Sequence, residues 1–423
     1  MKGDLTAAAV REKAAGREIW VWGAKVTGRS AGAYIQRSTI GTLGGYIDID
    51  EKRRQQPLAG FQIISPEAFF DAHGPKDAFV VIAGRQYEAE IADECRTHGF
   101  DDADMVSGYD MLGPIYEMDV IRLCNLKCPS CPQGNYPCKA FTQKMTLECF
   151  DSILKHILEI TPNVAHIGLY SWGEPFLHPQ LAEFIEMAHK ANIPCFLSSN
   201  FSHEFPLEPV LRADPDYFRV SISGFSQDIY KIDHAGGNIN LVKSNLYKLR
   251  YLIDKLGLAT SVEVVYHKYN YNLHEIPKVQ AMCDDLGFSL ATYVASILPT
   301  ENLIRIAGGE DVSDLRPLMD RLLFDFDKLP REDLRGREEE CFAFYHSIGL
   351  TPAGQVITCH NAYDLDKSCV GQDFLKMNYD DIIAAKMTNE TCSNCRRLGV
   401  PRMWSAVIDD EGNFDWLHKD GEG

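Results

Sequence analysis

The sequence predicts an α/β protein built as a partial parallel (β/α)6 barrel, with a Rossmann-like module before it and a small cysteine-bearing extension after it. Three observations carry that expectation. Short apolar runs alternate with amphipathic stretches between residues 115 and 300, a βαβ rhythm occupies the first 112 residues, and the cysteines fall into separate groups along the chain. The expected domains are 1–112, 115–300 and 301–423.

The first segment opens with the strand-like run REIWVWGA and a helical stretch through GRSAGAYIQRS. The runs GGYIDID and DAFVVIAG follow, and then a helix through YEAEIADECRTHGF. Gly23 and Gly28 bracket the first strand-to-helix turn, and Asp48 and Asp50 stand at the end of the next strand, as in a dinucleotide-binding unit. The middle glycine of that fingerprint is replaced by Lys25, whose side chain hinders close approach of a pyrophosphate. The expectation is a Rossmann-like domain that binds no dinucleotide. The segment resembles the small Rossmann-like modules attached to sugar-modifying and sugar-transferring enzymes.

The second segment reads as strand then helix, six times over: MDVIRL, VAHIGLYS, IPCFLSS, YFRVSIS, SVEVVYH and LATYVAS. Such short apolar runs suit parallel strands covered by helices. Leu181, Phe184, Ile185 and Ala188 share one helical face, as do Phe150, Ile153, Leu154 and Ile157 behind a Thr146 cap. Ligands of parallel barrels sit at the carboxyl ends of the strands. The cysteine-rich loop after the first of these strands therefore falls where chemistry is expected.

Composition limits the function. The 423-residue chain is 45% hydrophobic and 24% charged, ordinary values for a globular protein. A formal net charge of −18 opposes a polyanionic partner, so nucleic acid is excluded as a substrate. No apolar run approaches the length of a membrane span, and the opening MKGDLTAAAVREKAAG has no signal-peptide core. A cytoplasmic location is expected. Thirteen cysteines in such a chain point to metal or redox chemistry rather than to disulfides.

The loop CNLKCPSC places Cys124, Cys128 and Cys131 in a C-x3-C-x2-C pattern. A cubane [4Fe–4S] cluster held by three thiolates keeps one iron free of protein, and that iron can chelate the amino and carboxylate groups of S-adenosylmethionine. A four-thiol zinc knot recruiting Cys138 is the alternative.

With CNLKCPSC on one strand end and SWGEPFLHP on the next, the chain resembles the radical S-adenosylmethionine enzymes. The resemblance implies that Gly173, Glu174 and Pro175 form the motif that binds the methionine amino group. It further implies polar contacts from Ser198 and Asn200 in LSSN, ribose and carboxylate contacts from Ser221 and Ser223 in VSISG, and an adenine contact from Tyr293. One departure is Ser130, which stands before the third cysteine where the family often has an aromatic residue. Beyond residue 300, Cys341, the run GQVITC ending in Cys359, and CSNC with Cys392 and Cys395 resemble the SPASM and twitch extensions. That likeness implies one auxiliary [4Fe–4S] cluster closed by four thiolates. A zinc ribbon on the same cysteines is the alternative, with Cys369 as a substitute ligand.

The activity so implied is reductive cleavage of S-adenosylmethionine to a 5′-deoxyadenosyl radical that takes hydrogen from a substrate, with oxidation or epimerisation as the outcome. An electron donor such as flavodoxin or ferredoxin is implied as partner. The expected substrate is a small molecule, a sugar or nucleotide-sugar derivative. Modification of a ribosomal peptide and a non-catalytic Fe–S scaffold are the alternatives. Cys138, Cys195, Tyr170, His234 and His267 lie near the expected mouth, and Trp20, Tyr46, Trp172, Trp404 and Trp416 offer faces for sugar stacking. No catalytic residue is assigned among them.

Overall fold

The computed structural model describes residues 6–135, 143–328, 341–408 and 414–416. The first unit is a five-stranded parallel sheet of β1 (Glu18–Trp22), β2 (Leu43–Ile47), β3 (Ile63–Ile64), β4 (Ala78–Ile82) and β5 (Met105–Ser107). Its order β3-β2-β1-β4-β5 is that of a doubly wound sheet, with the reversal of direction between β1 and β4. Helices lie between its strands, so the strands are buried on both faces and read as continuous apolar runs; all five residues of β4 are buried. The Asp48 carboxylate accepts from Ala24 N at 2.8 Å and Asp50 N at 2.9 Å, so it ties down the turn after β1. Trp20 and Tyr46 are core residues of this unit.

The second sheet contains six successive parallel strands: β6 (Ile115–Met118), β7 (Ile167–Gly168), β8 (Cys195–Ser199), β9 (Tyr217–Ile222), β10 (Ser261–Lys268) and β11 (Ser289–Val294). It continues past β6 into the tail through β12 (Ser347–Leu350), β13 (Val356–Ile357) and β14 (Cys369–Gly371), in the order β11-β10-β9-β8-β7-β6-β12-β13-β14. The β12–β13 hairpin turns at Gly354, whose φ of +75° suits glycine. A short antiparallel pair, β15 (Ala406–Ile408) and β16 (Phe414–Trp416), lies near the end of the chain.

Alternation sorts the two faces of the large sheet. Tyr116, Ile167, Leu197, Phe218, Val220 and Val264 join the main core with the helical stripes of Leu147–Ile160 and Leu181–Lys190. The four residues expected on each stripe are the buried ones, and Thr146 caps the first helix by accepting from Cys149 N. The opposite face carries polar groups such as Glu117, Ser198, Arg219 and Glu263. Two of the expected strands are displaced. The first pairs at 115–118, ahead of most of the run MDVIRL, and the Asp119 side chain just beyond it accepts from Trp172 N; VAHIGLYS pairs only at 167–168. The first sheet is fastened beneath the second. Arg29 Nε meets Asp216 Oδ1 at 2.6 Å, and Arg37 donates to the carbonyls of Asn192 and Val164.

Among the described residues no helix is long and apolar enough to cross a membrane.

Candidate functional site

At the carboxyl ends of β6 to β9 the connections interlock around the cysteine loop. Glu174 N donates to Leu123 O at 2.9 Å, and Lys127 N donates to Ala235 O at 3.1 Å. Asn125 Nδ2 donates to Ser202 O at 3.2 Å. Loops after three different strands therefore hold the backbone that carries Cys124, Cys128 and Cys131. Burial raises all three thiols, Cys124 to about 11 and Cys131 to about 12, while Cys128 rises further with Asp233 and the other two thiols nearby. The three sulfurs act on one another electrostatically, so the fold gathers them. Cys138 lies outside the described residues.

Beside them stands the Gly-Glu-Pro loop. A side-chain carbon on Gly173 would fall 1.7 Å from Ile121 O, so only glycine lets this loop lie against the segment that leads to Cys124. The N–H groups of Trp172 and Gly173 donate to Asp119 Oδ1 at 2.8 and 3.0 Å. Burial lifts Asp119 to about 6, against the pull of Arg122. Glu174 is 3% exposed; its Oε1 accepts from Phe176 N and the Ser199 hydroxyl, and its Oε2 accepts from Asn200 N. Burial raises the Glu174 carboxyl to about 7, with those donors pulling it down. Pro175 starts the short turn that follows. The Asn200 side chain reaches back to Cys124 Sγ at 3.7 Å and Asn125 Oδ1 at 3.0 Å, linking carboxylate and thiol.

The remaining expected contacts divide. Ser221 lies half-buried on the polar face of β9. Ser198 is engaged by Arg219 Nε at 3.0 Å. The Ser223 hydroxyl is fully buried, 2.7 Å from His234 Nδ1. Tyr293 is 54% exposed on β11, opposite His267 in the register. Of the other candidates, Cys195 is buried in the main core and Tyr170 lies under the Arg219 guanidinium, 4.9 Å from its ring centre.

Several residues at this site escaped the sequence reading. Asp119 and Glu117 were visible as acids inside an apolar run, and Arg219 as a base within a strand. Ser130 lies beside Asp233 and Tyr269, so a buried acid stands next to the cysteine loop. Nothing local in the sequence announces that pairing, because Asp233 and Tyr269 lie far along the chain.

The tail brings a second set of cysteines together. Cys341 precedes the helix Phe342–His346, Cys359 follows β13, and Cys392 and Cys395 lie one turn apart on the helix Glu390–Arg397. Burial raises all four thiols, and Cys341, Cys359 and Cys392 all act electrostatically on Cys395. Cys369 sits apart on β14, donating to Gly371 O. Burial pulls the Lys386 ammonium down to about 8, while Cys359, Cys392 and Cys341 pull the other way. The loop after Cys359 docks on the first site. Trp172 Nε1 donates to Ala362 O at 3.0 Å, Arg122 Nη2 donates to Tyr363 O at 2.7 Å, and His360 Nδ1 lies 2.8 Å from Glu117 Oε2. Burial disfavours the Glu117 carboxylate, yet His360 and the Ser347 hydroxyl outweigh it and hold the group below its ordinary range.

Among the described residues no three His, Cys, Asp or Glu side chains are arranged to hold a single metal ion. The donor chemistry of the first site is three gathered thiols with a carboxylate alongside and no thiol in fourth place among the described residues near them. That set fits an iron–sulfur cluster with one iron left open. The four thiols of the tail fit a closed centre.

Three thiols and a buried carboxylate at the ends of parallel strands place the chain among α/β proteins that bind their ligands at strand ends. Residues 118–276 match the family described as the radical SAM superfamily. Among solved structures the chain is similar to BtrN in complex with AdoMet and 2-DOIA, 16% identical over 72% of this chain and 93% of that one, with a TM-score of 0.39. Streptococcus suis SuiB bound to the precursor peptide SuiA is 12% identical over 74% of this chain and 80% of that one, with a TM-score of 0.45. Native anSMEcpe with bound AdoMet is 16% identical over 68% and 84%, with a TM-score of 0.44. No curated protein matches the chain.

Proposed function

We propose that the protein is a radical S-adenosylmethionine enzyme with an open [4Fe–4S] cluster on Cys124, Cys128 and Cys131 and one auxiliary [4Fe–4S] cluster on Cys341, Cys359, Cys392 and Cys395. The observation that carries the reading is the chain of contacts from Cys124 through Asn200 to the buried carboxylate of Glu174. When bound, the open cluster supplies the electron that splits S-adenosylmethionine into methionine and a 5′-deoxyadenosyl radical, and the auxiliary cluster offers an electron acceptor. The protein's own groups do the placing. Glu174 Oε2 has one donor from the protein and capacity for another, which suits the methionine ammonium. Asp119 holds the loop that presents it.

The substrate we infer is a small polar molecule of the sugar or nucleotide-sugar class. Support comes from the polar face of the sheet. Arg219 is paired with the Ser198 hydroxyl and Tyr170, and the Tyr217 hydroxyl donates to Glu263 Oε2 at 2.7 Å, so donors and acceptors suited to hydroxyl groups lie together. The first unit is a parallel-sheet module rather than a winged helix, which favours this class over a ribosomal peptide. In the partial barrel we infer, that face is the interior, and the radical would form at its mouth.

The test is anaerobic incubation of the reconstituted protein with dithionite and S-adenosylmethionine, followed by assay for 5′-deoxyadenosine. Its formation is expected. Complete cluster loading without product would leave the scaffold reading in its place.

A further inference from the structure

We propose that Lys386 is the fixed positive charge that sets the reduction potential of the auxiliary cluster, holding it higher than the thiolates alone would. The inference rests on the four-thiol site of the tail holding an iron–sulfur cluster.

Lys386 lies on the helix Tyr379–Thr388, just before the helix that carries Cys392 and Cys395, and it is 0% exposed. Its Nζ donates to the carbonyls of Ala343, Phe344 and Ser347 at 3.3, 3.1 and 2.7 Å. All three acceptors belong to the short segment that begins at Cys341. They orient the ammonium and satisfy its three donors, but they are neutral. Among the described residues no carboxylate forms an ion pair with it, and a buried charge left without an opposite is costly. The groups that act on it electrostatically are the thiols of Cys359, Cys392 and Cys341 and, after them, Glu117, which is already bonded to Ser347 and His360. The negative charge that offsets the ammonium is therefore the charge that the four thiols acquire when they hold a centre. Arg396 is a second cation near the set, over the Phe344 ring at 4.9 Å, but it is half-buried and more screened by water.

A cluster closed by four thiolates is anionic, and reduction adds one more negative charge. A positive charge fixed close by in a medium of low dielectric favours the reduced form more than the oxidised one. Removing it lowers the potential. A merely structural lysine, there to tie down three carbonyls, would have no such effect.

The experiment uses full-length protein in which Cys124, Cys128 and Cys131 are alanine, so that the tail alone contributes a cluster signal, with the midpoint read by anaerobic redox titration monitored by electron paramagnetic resonance. Lys386→Gln keeps hydrogen-bond donors without the charge, Lys386→Met keeps the length without either, and Lys386→Arg keeps the charge. Gln and Met should each shift the reduction equilibrium at least tenfold toward the oxidised form, about 59 mV downward for one electron, with iron retained. Arg should stay near the parent protein. Loss of iron in Gln and Met but not in Arg overturns the proposal, since the charge then serves assembly of the centre rather than its potential. Unchanged midpoints in Gln and Met with iron retained, an equal shift in Arg, or loss of iron in all three overturns it. If the parent holds zinc and gives no redox signal, metal analysis on the same sample shows it, and the auxiliary-cluster reading falls together with the role of Lys386.

Discussion

Asn200 donates its backbone N–H to Glu174 Oε2 at 2.9 Å and turns its side-chain amide toward Cys124 Sγ at 3.7 Å. One residue at the end of β8 thus fixes the distance between a carboxylate on the β7 loop and a thiol on the β6 loop. Glu174→Gln tests what the carboxylate contributes. A charge-assisted hydrogen bond to the methionine ammonium amounts to about 1.5–3 kcal/mol, so S-adenosylmethionine should bind about tenfold to hundredfold more weakly. Three protein donors meet the two Glu174 oxygens, and an amide leaves one of them facing an NH2 group, so a lower melting temperature should accompany the loss. Titration calorimetry on the reconstituted protein measures the first effect, and unchanged affinity would remove Glu174 from the site.

Gly173→Ala should break the same site by a different route. The added methyl would fall 1.7 Å from Ile121 O, and neither backbone segment is free to yield, since Asp119 holds Gly173 N and Leu123 O accepts from Glu174 N. Overpacking typically costs about 1–3 kcal/mol, and a backbone obstacle puts this case at the upper end. We expect S-adenosylmethionine binding to be lost while the iron of the tail site is kept. Wild-type affinity in the variant would mean that the loop does not lie where the structure places it.

The joint between the two sheets should be acid-sensitive. Burial disfavours the Asp216 carboxylate, but His189 and Arg29 outweigh it and hold the group below its ordinary value. Because the folded-state value is depressed, the stabilisation is complete above the unfolded value near about 3.9 and disappears as pH falls through the folded one. Asp216→Asn leaves the Arg29 guanidinium buried beside a neutral amide, at a cost of about 3–5 kcal/mol at neutral pH. Urea unfolding of the cluster-free protein should show a large difference between parent and variant at pH 7 and a smaller one below about pH 4. A difference independent of pH would exclude the charge of Asp216 as its source.

The alternation of apolar residues made the strands and helices of both sheets legible, because each strand buries one or both faces and each helix a single stripe. The spacing CNLKCPSC and the loop SWGEPF marked the first site for the same local reason: their residues are neighbours in sequence. What escaped depends on contacts between distant segments. That the Ser223 hydroxyl lies against His234, that Ser130 lies beside Asp233 and Tyr269, and that the tail extends the large sheet beyond β6 follow from packing that no window of the sequence contains. The short pairing of β7 was equally hidden, since the residues that follow it turn away to present Glu174.

Counting metals separates the readings of the cysteines. The three thiols at the end of β6 and the four in the tail belong to loops held by different partners, and the two sets share no residue. Reconstituted protein should therefore carry about eight irons per chain in two cubane clusters. Replacing Cys124, Cys128 and Cys131 with alanine should leave about four and abolish formation of 5′-deoxyadenosine, because the tail cysteines retain all their own ligands. Replacing Cys392 and Cys395 should remove the other four while the open site keeps its iron. Zinc in the tail would instead give about four irons and one zinc in the parent and a triple variant with zinc alone. Iron and zinc measured on one sample distinguish these outcomes, and 5′-deoxyadenosine formed by the triple variant would overturn the assignment of the open site.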